Sequence, residues 1–305
     1  MRVRAAVVCS CLLLAGACAE SEPTEPLEAA PVAAPEAAVL SGIVFSSAFM
    51  TVAQVNTVHT GLVYGPTPSN ILSFLSQLRS KGGRVLIKLS GGTSSYKNAD
   101  GTFNLEKWKT QVDRFRNIDF SSYIADGTIV GHYLVDEPNY PGRWGDQVIS
   151  QATIEAAAKH SKRRWPTLAT IVNAPPAWLA SSTVTYVHLD AGWAMFRAKT
   201  ASSPSDWINQ QTKRAQGKGL GLVAGLNVLD GGDGSSGIRG TQPRTWAMSA
   251  AELDRYGSAM LAQSYVCAFS MWRYSAEYYD RSDVKNVMSS LSTKAKNHAR
   301  TSCRQ

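Results

Sequence analysis

Short apolar runs alternate with amphipathic stretches along the chain from residue 40 onward. Runs rich in β-branched or aromatic residues that end near Gly, Pro, Asn or Asp predict β-strands. They span residues 42–49, 60–65, 84–92, 129–138, 168–174, 185–196, 220–230 and 266–274. Between most of them apolar residues recur at helical spacing. These stretches predict helices within residues 69–83, 104–118, 153–165, 206–219, 249–261 and 283–299. The connections after the first and fifth strands are short and are not expected to hold a full helix.

Eight predicted strands, each followed by a crossover, indicate an α/β fold in which residues 40–305 form one (β/α)8 TIM barrel. A doubly wound open sheet is the alternative. No Gly-x-Gly-x-x-Gly follows an early strand, so the nucleotide-binding form of that alternative has no support. The pattern therefore favours a single-domain barrel.

The first 39 residues differ in composition from the rest. Residues 1–18, MRVRAAVVCSCLLLAGAC, combine two arginines, an apolar core and small residues, as in a signal peptide. The core is too short to cross a bilayer, which takes about 20 apolar residues. The end of this segment favours a lipoprotein signal with Cys18 as the acylated residue; ordinary secretion is the alternative. Residues 19–39 are rich in Ala, Pro and Glu without aromatics, which predicts a disordered tether.

These features predict export, either to the cell surface or periplasm as a lipoprotein or as a secreted protein. The membrane would be contacted only through the lipid anchor, and a monomer is expected. The formal net charge of the whole chain is +8, but the basic residues are scattered over predicted helices. Without a nucleic-acid-binding motif this is typical of a solvated surface, and no nucleic acid partner is expected. An acidic polysaccharide or an anionic surface is the alternative partner.

Of the five cysteines, Cys9, Cys11 and Cys18 belong to the predicted leader. Cys267 begins the last predicted strand and Cys303 follows the last predicted helix, so both lie at the same end of one βα unit. In an exported protein this favours a disulfide, with two unpaired thiols as the alternative. The histidines lack zinc-ligand spacing, and no cofactor motif is present, so no metal and no cofactor are expected.

Polar residues and tryptophans gather at the ends of the predicted strands, where the active site of a TIM barrel forms. They are Lys88 on the third strand, Asp136 and Glu137 on the fourth, Asn173 on the fifth, Asp190 and Trp193 on the sixth, Asn227 and Asp230 on the seventh, and Trp272 and Arg273 on the eighth. Polar groups bind sugar hydroxyls, and aromatic rings pack against the C–H face of a pyranose. This set therefore indicates a poly- or oligosaccharide substrate.

Strand alternation refines this set. If Glu137 faces the barrel interior, Tyr133 and Val135 do so too. The same rule turns Asp190 inward on the sixth strand and Asn227 inward on the seventh. On the eighth strand the inner face is expected to be residues 268, 270 and 272.

Cleavage of a glycosidic bond takes a proton donor and a second carboxylate. Glu137 is the best donor candidate, with Asp136 beside it as a tuner or as a ligand of sugar hydroxyls. Asp190 or Asp230 would supply the second carboxylate. Lys88 is expected to pair with Asp136 or Glu137; a Schiff-base lysine is the other role that a barrel interior offers.

The motif Asp136-Glu137-Pro138 at the end of the fourth strand, with Trp272 on the eighth, resembles the (β/α)8 glycoside hydrolase superfamily, most of all its secreted bacterial members. In the large retaining group of that superfamily the corresponding motif is Asn-Glu-Pro. The resemblance implies that Glu137 is the acid/base and that Trp272 is a sugar platform.

The retaining group has a nucleophilic Glu at the end of the seventh strand, whereas residues 225–232, GLNVLDGG, contain none. The expected function is therefore an exported glycosidase that uses Glu137. A non-catalytic carbohydrate-binding barrel at the cell surface is the first alternative, and a Lys88-dependent lyase or aldolase is the second.

Overall fold

The computed structural model describes residues 41–299 and 302–304. The predicted signal peptide, Cys18 and the tether at residues 19–39 lie outside the described residues. Among the helices formed by the described residues, none has the length and apolar character needed to cross a membrane.

The strands close into one parallel barrel in which each pairs with the next and the last pairs with the first. The strands are β1 Val44–Ala48, β2 Gly61–Tyr64, β3 Arg84–Ile87, β4 Ile129–Asp136, β5 Thr170–Asn173, β6 Ala191–Phe196, β7 Gly221–Asn227 and β8 Val266–Trp272. The closed eight-stranded order confirms the predicted single-domain (β/α)8 TIM barrel.

Helices cover the outside of the barrel. They are α1 Ile71–Ser80, α2 Leu105–Asp113, α3 Ser121–Ala125, α4 Gln151–Arg164, α5 Pro176–Leu179, α6 Pro204–Gln216, α7 Ala250–Leu261, α8 Ala276–Tyr279 and α9 Ser282–Lys296. As expected, the connection after β1 has only the 3-10 turn Val52–Gln54, and the one after β5 has only the four-residue α5. The short helices α3 and α8 were not expected from the pattern.

Side-chain caps fix where several helices begin. Ser249 accepts a hydrogen bond from the Glu252 amide while the Glu252 side chain accepts one from the Ser249 amide, so the two residues form a capping box. Ser150 caps α4 and Ser203 caps α6 in the simpler form, each through its hydroxyl. Such a cap stabilises a helix by about 1 kcal/mol.

Strand alternation divides the core into two layers. The inner layer fills the barrel and includes Val44, Leu86, Tyr133, Ile171, Trp193, Val223 and Ala268. The outer layer packs the other strand faces against the helices and includes Trp108, Leu222, Met260 and Phe269. Ala268 belongs to the inner layer and Phe269 to the outer one, as the expected inner face of β8 requires. Burial of both faces explains why the strands are apolar runs rather than alternating ones.

Strand β6 begins later than the sequence pattern predicts. Residues 185–190 are not in a strand, because the amides of Val187, His188 and Leu189 donate to the Glu155 carboxylate at 2.8–3.0 Å. These amides are thereby satisfied without a neighbouring strand. Asp190 consequently lies at the amino end of β6, and its predicted inward position near the barrel mouth is wrong.

The amino end of the barrel is closed by a disulfide between Cys267 and Cys303. Both cysteines belong to the inner layer of the core, and both are fully buried. Since Cys267 lies at the start of β8, the disulfide holds the C-terminal segment under the barrel floor. This places the cross-link at the opposite end from the carboxyl ends of the strands.

Candidate functional site at the barrel mouth

A cavity of about 560 Å³ opens at the carboxyl ends of the strands. Seven of the eight strands or the residues just after them contribute to its wall; the exception is β7. The contributing residues include Ala48, Tyr64, Lys88, Asp136, Asn173, Trp193 and Trp272. Another cavity, of about 500 Å³, lies at the amino end, and the described residues that line it include no carboxylate. The mouth cavity therefore combines a carboxylate, an amide and aromatic rings at the end of the barrel where TIM-barrel sites form.

Asp136, rather than Glu137, is the carboxylate in the cavity wall. The pairing of β4 with β5 shifts register between Tyr133 and Asp136, and the consecutive residues Leu134 and Val135 both pack in the outer layer. Because Leu134 and Val135 both face outward, the inward position that alternation would give to residue 135 moves to residue 136. The irregularity thereby turns Asp136 to the inside. The prediction that Val135 and Glu137 share the inner face with Tyr133 is therefore wrong for Val135.

Asp136 is held by three donors. Its Oδ1 accepts from the Tyr133 hydroxyl at 2.5 Å and from Asn173 Nδ2 at 2.7 Å, and its Oδ2 pairs with Arg143 Nη1 at 2.7 Å. Burial raises the pKa of the Tyr133 phenol well above its ordinary value, and the Asp136 charge raises it further. Tyr133 therefore remains a hydrogen-bond donor, and Asp136 is positioned as an acceptor of fixed orientation.

Arg143 joins the two carboxylates of the fourth strand. Its Nη2 contacts Glu137 Oε2 at 2.7 Å while Nη1 contacts Asp136. Burial acts to lower the pKa of Arg143, but the two carboxylates outweigh it and raise that pKa. The planar guanidinium suits such a two-pronged contact. The single cation compensates the repulsion between two adjacent acids.

The turn after β4 places both Glu137 and Arg143. Glu137 has φ 46°, in the left-handed region that non-glycine residues rarely adopt, at a cost of order 1 kcal/mol. Its amide donates to the Asn173 carbonyl, and its carbonyl accepts from Trp144 Nε1 at 3.0 Å. Trp144 is fully buried. The next residues form the 3-10 turn Pro141–Arg143, which returns Arg143 toward the acids. Glu137 thus lies at the edge of the cavity, with its side chain about 37% exposed.

Aromatic rings form the opposite part of the wall. Trp272 and Phe49 meet edge to face with their centroids 4.9 Å apart, and Phe49 is 62% exposed. Tyr64 lines the next part of the wall and Trp193 is buried deeper. A Cβ on Gly225 would lie 2.5 Å from Trp193 Nε1, so glycine is needed there for the indole to lie against β7. The cavity therefore combines ring surfaces with directional polar groups.

Lys88 lies in the cavity wall just after β3. Its Nζ is 5.9 Å from the centroid of the Tyr96 ring. Arg143, and not Lys88, pairs with Asp136 and Glu137, so the expected ion pair of Lys88 with these acids is wrong. Arg273 follows Trp272 and places its guanidinium 5.1 Å from the Phe49 ring centroid at the rim.

The predicted second carboxylates lie away from the cavity. Asp190 pairs with Lys162 Nζ at 2.6 Å and accepts from the Thr170 amide at 2.7 Å, at the amino ends of β5 and β6. Asp230 accepts from Thr241, Gln242 and Thr245 at 2.6–2.8 Å in the loop after β7. Burial opposes ionisation of Asp230, but these hydrogen bonds outweigh it and lower its pKa. The hydrogen bonds of each carboxylate therefore stabilise the local backbone, away from the cavity.

Asn227 ends β7 in a buried position, and its Oδ1 accepts from the Asp230 amide at 3.2 Å. It is not among the residues that line the cavity. Within residues 41–299 and 302–304, no group of three or more His, Cys, Asp or Glu side chains is placed to hold a metal ion.

The sequence pattern missed Arg143, Phe49 and Tyr64. Phe49 and Tyr64 stand at the ends of the first two predicted strands. The aromatic ring at the end of a strand is the signal that could have found both, since it singled out Trp193 and Trp272 on the sixth and eighth strands. Arg143 follows Glu137 by six residues within a loop, and no local sequence pattern indicates that this loop returns to the acids at the end of β4.

Comparisons with known proteins give matches only at the level of the fold. No protein-family model and no curated protein matches the sequence. Among solved structures, the β-glucanase SdGluc5_26A from Saccharophagus degradans superposes with TM-score 0.56 at 11% identity, covering 85% of this chain and 89% of that one. A cellulase in complex with an inhibitor gives 0.51 at 12% identity, with 82% and 92% covered. The catalytic domain of the major endoglucanase from Xanthomonas campestris pv. campestris gives 0.50 at 11% identity, with 85% and 94% covered. This chain therefore has the (β/α)8 barrel fold of these glycoside hydrolases.

Proposed function

We propose that this protein binds an oligo- or polysaccharide in the mouth cavity and cleaves a glycosidic bond there, with Glu137 as general acid/base. The observation that supports this most is the pair of adjacent carboxylates joined by Arg143, of which Asp136 lines the cavity at the carboxyl ends of the strands and Glu137 is the next residue. Opposite them stand ring surfaces of the kind that pack against sugars.

The two carboxylates have different surroundings, and this difference assigns their roles. Asp136 accepts three hydrogen bonds and its side chain is 16% exposed, so it is the fixed anion of the pair. Glu137 makes one ion pair and is accessible to water. Glu137 is therefore the group that exchanges protons.

The reaction then has two proton transfers through one residue. Glu137 gives its proton to the glycosidic oxygen as the bond from that oxygen to the anomeric carbon breaks. The positive charge that develops on the sugar ring is stabilised by Asp136. Water adds to the anomeric carbon and returns a proton to Glu137, so atoms and charge balance.

A second candidate function is binding without cleavage. Among the described residues that line the cavity Asp136 is the sole carboxylate, and no Glu faces it from β7. Two-carboxylate mechanisms place the acids on either side of the scissile bond. Here both acids come from β4 and the turn after it, and one guanidinium contacts both. This arrangement favours a carbohydrate-binding barrel.

We also propose export with a lipid anchor on Cys18. Support comes from the composition of residues 1–39 alone.

The test is a screen of polysaccharides for binding and for release of new reducing ends. Glu137→Gln keeps shape and hydrogen bonding but removes the proton, so it should lower the rate at least 100-fold while binding persists. Asp136→Asn should lower the rate as well. Glu106→Gln is the matched control, because Glu106 lies on α2 with its side chain 79% exposed.

The outcomes separate the candidates. Release of reducing ends at the same rate by Glu137→Gln contradicts its role as acid. Binding by the wild-type protein with no product after long incubation selects the non-catalytic barrel. A protein that binds no glycan refutes both.

A further inference from the structure

The wall of the mouth cavity contains two cations and one carboxylate, and a second carboxylate, Glu137, lies at its edge. Its charged lining residues are Lys88, Arg143 and Asp136. The Arg143 charge is shared between Asp136 and Glu137 at 2.7 Å each. Lys88 is the cation of the wall that pairs with neither of these acids.

Lys88 has no carboxylate within 4.0 Å of its Nζ in the described part of the chain, and its described contact is with the Tyr96 ring at 5.9 Å. Neighbouring lysines differ. Lys97 Nζ donates to the Arg143 carbonyl, and Lys107 Nζ donates to the Lys97 carbonyl at 2.9 Å. An ammonium that is partly withdrawn from water costs free energy unless a counter-charge or acceptors compensate it. The position of Lys88 therefore suits an anionic ligand group.

A second cation stands at the rim. Arg273 is exposed, and its guanidinium lies 5.1 Å from the ring of Phe49, which itself lines the cavity. No carboxylate of the described chain pairs with Arg273 within 4.0 Å. Guanidinium groups bind carboxylates and sulfates with two parallel hydrogen bonds. Lys88 in the wall and Arg273 at the rim thus both lack an acidic partner among residues 41–299 and 302–304.

We infer that the saccharide bound in this cavity is acidic, with a carboxylate or a sulfate ester that binds Lys88 and is attracted by Arg273. This inference rests on the proposed function, because it names the class of sugar that the same site takes. It also explains why Lys88 does not neutralise Asp136: Arg143 performs that task, and the lysine is left for selecting the ligand.

The experiment measures binding to matched pairs of glycans. Polygalacturonate and alginate are compared with their carboxyl-reduced forms, carrageenan with its desulfated form, and soluble cellulose oligomers serve as a neutral probe. The acidic member of a pair should bind at least 10-fold more tightly than its neutral form, and its binding should weaken as salt is raised. A preference within the carboxylate pairs or within the sulfate pair identifies which anion the site takes.

Variants of Lys88 assign the effect to this residue. Lys88→Met keeps the length of the side chain and removes the charge, so it should weaken binding of the acidic glycan at least 10-fold and leave the neutral form unchanged. Lys88→Arg should retain most of the affinity. Lys213→Met, an exposed lysine on α6, is the control. Circular dichroism and melting curves check that each variant is folded.

Equal binding of acidic and neutral forms overturns the inference and leaves the proposed function standing. Acid preference that persists unchanged in Lys88→Met overturns the role of Lys88. Absence of binding to every glycan overturns the inference together with the proposed function. Trapping of a glycan on Lys88 by borohydride would instead show Schiff-base chemistry and contradict the binding role.

Discussion

Cutting the disulfide between Cys267 and Cys303 should destabilise the barrel without touching its mouth. The bond closes a loop with a sequence separation of 36 residues and lies in the inner core layer at the amino end. The loop contains most of β8, the segment after it and α9. Without the bond, the conformational entropy of the unfolded chain increases, while the folded barrel keeps its other contacts.

The size of the effect follows from the loop length. The chain-entropy relation for a loop of this separation gives about 4 kcal/mol of stability at 25 °C. This is a large part of the 5–15 kcal/mol that a domain typically has. For a domain of this size each kcal/mol corresponds to roughly 2–4 °C, so Tm should fall by roughly 8–16 °C.

Urea unfolding followed by tryptophan fluorescence measures the loss, since the chain has eight tryptophans. Oxidised protein, reduced protein and the double variant Cys267→Ala, Cys303→Ala are compared. The variant also loses two buried sulfur atoms, so the reduced wild type gives the cleaner value. Reductant should have no effect on the double variant, which serves as the control. If oxidised and reduced protein differ by less than about 1 kcal/mol, the entropic reasoning is refuted.

Two further predictions concern charge. Arg143→Met leaves Asp136 and Glu137 without their shared cation. The variant should lose glycan binding and about 2 kcal/mol of stability, which is the value for a buried ion pair reduced for partial exposure. A free energy of unfolding in urea equal to that of the wild type would contradict the stabilising role of Arg143. Burial lowers the pKa of His59 to about 4 and of His132 to about 3, against an ordinary value of 6.5. Because the unfolded chain protonates first, stability should be complete above pH 6.5 and fall as the pH drops toward 4 and then 3. His59→Phe should flatten this loss in unfolding curves measured at several pH values, and an unchanged slope would show that His59 is not the cause.

Part of the candidate site could be predicted from the sequence. The rule that barrel sites form at strand ends brought Lys88, Asp136, Asn173 and Trp272 together, and all four line the cavity. The same rule failed for Asp190, because the rule can be applied only when the bounds of the strand are known, and Asp190 lies at the amino end of β6. An apolar run with strand-like alternation at residues 185–190 bonds to Glu155 instead of pairing with a strand. Periodicity reports which residues are buried, and it does not report which partner satisfies their amides.

The orientation of the acids shows the same limit. Strict alternation assigns Glu137 to the interior, whereas the register shift between β4 and β5 turns Asp136 there. Such an irregularity arises from how two strands fit around a closed barrel, so it depends on residues far apart in the sequence. The position of Arg143, the partner of both acids, also depends on tertiary structure. The left-handed backbone conformation of Glu137 and the buried Trp144 return the loop to the barrel mouth.

The sequence by itself determined the number of strands and favoured the barrel, because burial of both strand faces leaves a repeated apolar pattern, and eight such runs joined by crossovers suit a closed parallel sheet covered by helices. It also placed polar and aromatic residues at one end, since the two ends of each strand differ in composition. Only the tertiary structure decided which carboxylate faces the cavity, which cation pairs with it and that Lys88, in the same wall, pairs with neither Asp136 nor Glu137. Those choices depend on distances of a few ångströms between β4, the turn after it and β3, and local sequence preferences do not encode such distances.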